Sequence, residues 1–175
     1  MPRSSQTTFD RARIDALLQA IADELPGDFL LIGGALVALW LEPDRTTEDL
    51  DLIGMRGEPS ERYALLDFAA RSGLPIESFN SAADFFVQRI AGWREQVEVL
   101  RVGARGRILR PTHTLFLLLK IGRLSERDLA DCLLAAAAAG TDAALDRARV
   151  KEALAALPPV DAAGTERRTR LLAAL

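Results

Sequence analysis

The sequence has little cysteine, no long apolar run and almost no net charge. Cys132 is the only cysteine in 175 residues, which excludes an intramolecular disulfide and a thiolate zinc cluster and predicts a reducing, cytoplasmic location. The apolar runs fall far short of the roughly 20 residues that a membrane-spanning helix needs, so no membrane partner is expected. The polar stretch Met1–Asp10 has no apolar core of signal-peptide length, which argues against secretion.

What is present fits a globular chain, apart from the distribution of charge. The chain is 49% hydrophobic and 27% charged, which excludes a disordered chain, and its formal charge of -3 gives no overall attraction to nucleic acid. Residues 99–124 nevertheless contain no acidic side chain. The basic residues of this window, called the basic segment below, are Arg101, Arg105, Arg107, Arg110, Lys120 and Arg123. Two interpretations stay open: a solvated face, or a surface that meets phosphate.

The order of elements in the first part of the chain predicts an α/β (α+β) fold with a small mixed sheet. Apolar residues three and four apart predict a helix over Arg11–Leu25. The run Phe29–Ile32 predicts a buried strand, which Gly33-Gly34 ends before a helix over Ala35–Leu41. A second short strand is predicted where Leu50 and Leu52 alternate with aspartates.

The later elements differ on the two sides of Pro111. Before it, we expect a helix capped by Ser60 and a hairpin that turns at residues 91–93. The strands predicted there are Phe85–Ile90, Gln96–Val102 and Arg107–Leu109. After it, only helices are predicted, with N-caps at Thr112, Ser125 and Thr141 and a terminal helix over Glu166–Leu175. The expected division is a core of residues 1–110 and a helical region of residues 111–175 packed on it as one compact unit.

Asp49 and Asp51 are the residues most suggestive of chemistry. Positions i and i+2 of a strand point to the same face, so the two carboxylates are expected side by side while Leu50 and Leu52 face the core. Like charges at that separation need a cation or an arginine beside them. Mg²⁺ binds carboxylate oxygens and keeps waters and phosphate oxygens as further ligands. The alternative is an exposed edge strand with ordinary charge alternation.

The Gly33-Gly34 pair supplies a setting for such an ion. Between a strand and a helix, two residues without side chains let backbone N–H groups and the positive helix end approach a phosphate. The alternative interpretation of the pair is a tight turn. The single histidine, His113, is assigned to capping or packing at a helix start, and Cys132 is interpreted as a buried, inert thiol.

The stretch Leu31-Ile32-Gly33-Gly34-Ala35, followed by Arg45-Thr46-Thr47-Glu48-Asp49-Leu50-Asp51-Leu52, resembles the signature of the DNA-polymerase-beta-like nucleotidyltransferase superfamily. It is most similar to the branch of AbiEii-type toxin nucleotidyltransferases and their bacterial relatives. Downstream, the helical pattern around Lys120 and Arg127 to Asp131 is similar to that branch as well. Gly34 departs from the many superfamily members that carry a serine at this position.

The resemblance implies an enzyme that moves a nucleoside monophosphate from a nucleoside triphosphate to an acceptor, with two Mg²⁺ ions. It assigns the catalytic and metal-binding roles to Asp49, Asp51 and Glu98. The nucleotide-binding positions it implies are Gly33, Gly34, Arg45, Thr46 and Lys120. For Lys120 a surface lysine is the alternative, and Glu98 is alternatively an ordinary strand residue.

The partners that the resemblance implies are a nucleoside triphosphate, a tRNA or protein acceptor, and a cognate toxin or antitoxin protein. Two other functions stay open. One is a non-catalytic nucleotide-binding or antitoxin-like relative, and the other is a small-molecule nucleotidyltransferase of the aminoglycoside-modifying type. The basic segment favours RNA over a small cationic acceptor.

Overall fold

The structure is a computed structural model that describes residues 8–80, 84–140 and 145–175. Those residues form an α+β fold with a five-stranded mixed sheet. The helices are α1 (Arg11–Glu24), α2 (Gly33–Trp40), α3 (Pro59–Arg71), α4 (Asp84–Val87), α5 (His113–Ile121), α6 (Glu126–Ala139), α7 (Arg147–Ala155) and α8 (Ala162–Ala174). The strands are β1 (Gly27–Ile32), β2 (Leu50–Gly54), β3 (Phe79–Asn80), β4 (Val97–Val102) and β5 (Gly106–Pro111). None of the described helices is long and apolar enough to cross a membrane.

The chain forms two compact units. The first comprises Met1–Phe85 and Val97–Arg110, and the second comprises Phe86–Gln96 and Pro111–Leu175. The division expected at residue 110 differs from this at one segment, residues 86–96, which belongs with the helices. Two hydrogen bonds within the second unit explain the difference: Arg149 donates to the carbonyl of Ala91 at 2.6 Å, and the Thr112 N–H donates to the carbonyl of Gln96 at 2.9 Å.

The sheet belongs to the first unit and has the order β3-β2-β1-β5-β4. Strand β1 lies at its centre, antiparallel to β2 and parallel to β5. The four residues Phe29–Ile32 are all buried, as their continuous apolar run predicts for a strand covered on both faces. On α1, the residues Ile14, Leu18 and Ile21 recur at three and four and are fully buried, so one stripe of the helix packs on this core.

The strand predicted over Phe85–Ile90 is wrong. Residues Asp84–Val87 form the short helix α4, in which Phe85 and Phe86 are each 61% exposed and Val87 is buried. The segment therefore has no alternating face that a sheet could bury. The hairpin predicted around residues 91–93 is formed instead by β4 and β5, and the Gly103 N–H donates to the Gly106 carbonyl at 2.9 Å across their connection.

The helices of the second unit begin largely where the capping residues predict. The Thr112 side chain accepts from the Leu115 N–H, and Ser125 forms a capping box with Asp128. The cap predicted at Thr141 lies outside the described residues, and α7 is capped by Asp146. In the first unit the cap predicted at Ser60 is wrong, because α3 starts at Pro59 with Glu58 as its N-cap.

Candidate functional site

The candidate site lies at one edge of the sheet in the first unit, where β1 ends and β2 begins. The two strands are antiparallel, and the last paired residues at this edge are Ile32 and Asp51. Helix α2 starts at the next residue, Gly33, and its N-cap Ile32 has no side-chain oxygen to accept from the first-turn N–H groups. Sheet pairing therefore brings Asp51 to the start of α2.

Gly33 is a residue at which only glycine fits. Its φ is +71°, in the left-handed region that disfavours side chains with a Cβ. In addition, a Cβ built on Gly33 would overlap the carboxylate of Asp51. The carboxylate thus lies directly against backbone that carries no side chain, at the positive end of a helix.

Gly34 is similarly covered by the loop that precedes β2. A Cβ at Gly34 would lie 2.8 Å from Oγ1 of Thr47 and 3.9 Å from Nη2 of Arg45. Only 10% of the Arg45 side chain is exposed, and Nη1 lies 3.7 Å from Glu42. The guanidinium of Arg45 therefore lies near Gly34, and its contact with phosphate stays a prediction.

Thr47 occupies the position beside the glycines that the sequence interpretation gave to Thr46, which is exposed. The backbones of Phe9 and Thr47 exchange two hydrogen bonds of 2.7 and 3.0 Å, which fix the threonine in place. The spacing of two between residues 47, 49 and 51 could have identified Thr47 from the sequence, because residues two apart in an extended chain point to the same side.

Asp49 precedes β2 and is exposed. Its N–H donates to Oγ1 of Thr47 at 3.4 Å, and the Thr47 hydroxyl donates to the Asp49 carbonyl at 3.3 Å. These contacts involve the backbone of Asp49, so its carboxylate faces water from a locally fixed turn.

Glu98 is not brought together with the two aspartates. It lies on the edge strand β4, which is separated from β2 by β1 and β5. Three strand spacings amount to roughly 14 Å, which is too far for one ion to bridge. Glu98 instead forms an ion pair with Arg110, whose guanidinium stacks over the ring of Trp40 at 4.3 Å. Across the described ranges, no group of three or more His, Cys, Asp or Glu residues is placed to hold a metal ion.

Of the three carboxylates expected to hold Mg²⁺, only Asp49 and Asp51 lie in or beside β2, and these two would hold one ion rather than two. Mg²⁺ is commonly bound by one or two carboxylates together with waters and the phosphates of a substrate. The absence of a side chain at Gly33 leaves room for the Asp51 carboxylate itself, because a Cβ there would overlap it. The second ion that the resemblance implies needs a further donor, and Glu98 does not supply it here.

Lys120 lies in the second unit, in an ion cluster formed by Lys120, Arg123, Ser125, Asp128 and Asp131. Its Nζ is 2.7 Å from Asp131 and 3.2 Å from Asp128, and both aspartates are 1% exposed. Burial alone would raise the pKa of Asp128. Hydrogen bonds from Arg123 and Ser125 and the charge of Lys120 outweigh burial and hold this pKa well below its usual value. The contact of Lys120 with a triphosphate stays a prediction.

The basic segment has acidic or carbonyl partners throughout. Arg101 pairs with Asp15, Arg107 with Asp28, Arg110 with Glu98, and Arg123 and Lys120 with Asp128, while Arg105 donates to the carbonyl of Glu24. Residues 99–124 contain no acidic side chain, but acidic residues from other parts of the chain pair with the basic residues of this segment. Its charge is therefore largely balanced in the fold, and the preference for RNA that was based on it loses its support.

No protein-family model, no curated protein and no solved structure matches this chain.

Proposed function

We propose that this protein is a Mg²⁺-dependent nucleotidyltransferase that moves a nucleoside monophosphate from a nucleoside triphosphate to an acceptor hydroxyl. The observation that carries the proposal is the contact between the carboxylate of Asp51 and Gly33 at the start of α2. In this contact a carboxylate, which is a ligand for Mg²⁺, lies next to the N-terminal backbone of a helix, which is a favourable position for phosphate. The resemblance to AbiEii-type proteins supports the same function.

The electrostatics of this edge make the cation necessary. A triphosphate that approaches the N–H groups of Gly33 and Gly34 must come close to the carboxylate of Asp51, and the two anions repel each other. Mg²⁺ held by Asp51 would offset that repulsion and would supply positive charge beside the phosphates. Arg45 and Thr47, both beside Gly34, are placed to add a positive charge and a hydroxyl on the phosphate side.

The reaction is a displacement at the α-phosphorus. The acceptor oxygen forms a bond to that phosphorus, the bond to the bridging oxygen of the β-phosphate breaks, pyrophosphate leaves, and the hydroxyl proton passes to solvent. Within this step, Asp49 and Asp51 hold the cation, and the glycine N–H groups orient the phosphates. Positioning and charge stabilisation account for most catalysis of this kind.

A second function, nucleotide binding without transfer, is favoured by one observation. Glu98, the expected third carboxylate, is paired with Arg110 on the far strand of the sheet. A protein that retains the glycines and Asp51 but holds a single ion would bind a nucleotide and turn it over slowly or not at all.

The test compares the parent protein with Asp51→Asn and with Asp44→Asn, a matched change of an exposed aspartate in the loop before β2. Calorimetry with Mg²⁺ and each triphosphate measures binding. Transfer from labelled triphosphates to total tRNA, to the protein itself and to an aminoglycoside measures activity and identifies the acceptor class.

We expect Asp51→Asn to lower transfer by about 100-fold or more, as the loss of a group that stabilises developing charge does, and Asp44→Asn to behave as the parent. Binding without transfer in the parent would establish the second function. If neither binding nor transfer depends on Asp51, both functions are excluded.

A further inference from the structure

The loop that precedes β2, residues 41–49, is tied to the segment before α1 by a pair of backbone hydrogen bonds. The N–H of Phe9 donates to the carbonyl of Thr47 at 2.7 Å, and the N–H of Thr47 donates to the carbonyl of Phe9 at 3.0 Å. The two residues pair as neighbours in an antiparallel sheet do, although neither belongs to one of the five strands. This bridge holds the loop at the residue that lies beside Gly34.

The side chain of Phe9 anchors the bridge in the core. It is fully buried, and the guanidinium of Arg13 lies 4.9 Å from the centre of its ring. Phe9 directly precedes Asp10, whose carboxylate caps α1 by accepting from the Arg13 N–H at 2.8 Å. Phe9 and the buried Ile14 therefore occupy the two positions of a hydrophobic staple, which fixes the direction in which a chain enters a helix. The bridge thus has a fixed place relative to α1.

The bridge connects α1 to the candidate site through Thr47. Oγ1 of Thr47 lies 2.8 Å from the position of a Cβ on Gly34, in the first turn of α2, and the same hydroxyl contacts the backbone of Asp49. Helix α1 itself packs against α2. The contacts therefore form a closed path from α1 through Phe9 and Thr47 to α2. The loop can move away from the glycines only if the bridge breaks or Phe9 leaves the core.

We infer that Phe9 is a positioning residue of the candidate site. By burying its ring beside α1, it holds the loop with Arg45 and Thr47 against the start of α2, so that the loop is already ordered when a triphosphate arrives. Order that exists before binding does not have to be created during binding, which raises affinity. The inference rests on the proposed function, because it assumes that phosphates bind beside Gly33 and Gly34.

The test measures loop order and nucleotide affinity in the same variants. Hydrogen exchange of individual amides by NMR reports order, and calorimetry with Mg²⁺ and non-hydrolysable analogues of ATP, GTP, CTP and UTP reports affinity. Phe9→Ala removes the ring, and Phe9→Leu keeps a smaller apolar side chain. Phe68→Ala is the matched control, because Phe68 lies on α3 in the same unit and is 1% exposed.

The comparison of exchange rates is between the Thr47 amide and the amides of Leu30 and Leu31 in β1. In Phe9→Ala we expect the Thr47 amide to gain at least about 10-fold over the β1 amides, because its acceptor is the Phe9 carbonyl and the loop opens locally. Phe9→Leu should show a smaller gain of the same kind, and it keeps the comparison if Phe9→Ala does not fold. Phe68→Ala should not raise this ratio, because it destabilises the unit as a whole.

The affinity should follow the order of the loop and not the stability of the protein. We expect Phe9→Ala to bind the analogue that the parent prefers about 10-fold more weakly, because the loop must then be ordered during binding. Phe68→Ala, measured where it is folded, should bind within about twofold of the parent, since its loop is ordered beforehand.

Two kinds of result would overturn the inference, and they are distinguishable. If Phe9→Ala speeds the Thr47 and β1 amides equally, or frees the Thr47 amide without weakening binding, Phe9 is a core residue that does not position the site, and the proposed function stands. If the parent binds none of the analogues, the proposed function fails and the positioning role fails with it.

Discussion

Two pairs of aspartates in this molecule have the same charge and opposite surroundings. Asp49 and Asp51 lie at the start of a strand, where Asp49 is exposed and Asp51 rests against glycine backbone. Asp128 and Asp131 lie on α6 and are almost fully buried beside Lys120. Buried charge must be neutralised inside the protein, whereas a carboxylate that faces water can take its counter-ion from solution.

The contrast separates a structural ion cluster from the candidate site of the proposed function. Asp128 also accepts hydrogen bonds from Arg123 and Ser125, and it closes the capping box of α6. Its interactions are thus with the protein itself. At the Asp51 edge, by contrast, the carboxylate lies against glycine backbone at the start of a helix.

The largest effect that tests this contrast is expected for Lys120→Met. Methionine keeps an apolar stem of similar length but removes the ammonium group, which lies 5.3 Å from the centre of the Phe116 ring and pairs with the buried Asp131 and Asp128. Removing one partner from a buried ion cluster costs about 3 kcal/mol of unfolding free energy or somewhat more. Urea unfolding of the parent and the variant measures this cost.

Arg127→Ala is the control for Lys120→Met, because Arg127 is an exposed basic residue on the neighbouring helix and should change stability by less than about 0.5 kcal/mol. Cys132 supplies a second readout. Burial raises the pKa of its thiol to about 12, so a thiol reagent at neutral pH labels it only when the helices open. A Lys120→Met protein as stable and as slowly labelled as the parent would contradict the structural role of the cluster.

A smaller effect is expected from acid. The folded-state pKa of Asp128 is lowered, so its contribution to stability is complete above its unfolded pKa of about 3.9 and is lost as the pH falls below that value. The parent should therefore lose unfolding free energy between pH 5 and lower pH, over and above the loss in Asp128→Asn. Urea unfolding at a series of pH values compares the two slopes, and equal slopes would show that Asp128 is not held ionised by its partners.

The sequence allowed the centre of the site to be predicted because the determinants there are local. Gly33 and Gly34 end a continuous apolar strand, and the alternation around Asp51 sets the face of the next strand within a few residues. Antiparallel pairing of two strands joined by one short helix then brings Asp51 to Gly33.

The features that could not be predicted from the sequence depend on contacts between distant parts of the chain. The separation of Glu98 from Asp51 follows from the order of strands in the sheet, which no local pattern specifies. Strand β3, with two residues, is too short to show any periodicity, so no local pattern predicts it. Two counter-ions of the basic segment lie about 80 residues away, Asp15 for Arg101 and Asp28 for Arg107. Charge runs in a sequence therefore do not show whether a surface is positive.

The smallest effect is expected for Asp49→Asn without divalent cation, and it tests the other side of the comparison. Asparagine keeps the size of the side chain and, because the contacts of Asp49 with Thr47 involve its backbone, it keeps those hydrogen bonds. The substitution removes one of two like charges near the sheet edge, so the unfolding free energy in chelator should stay within about 0.5 kcal/mol of the parent, or rise slightly.

In excess Mg²⁺ the parent should be the more stable of the two proteins, because only the parent gains stability from an ion that binds the folded state. Thermal melts of both proteins in chelator and in Mg²⁺ measure this crossover. A loss above about 1 kcal/mol in chelator would mean that Asp49 is structural like Asp128, and the two pairs would then differ in exposure but not in role.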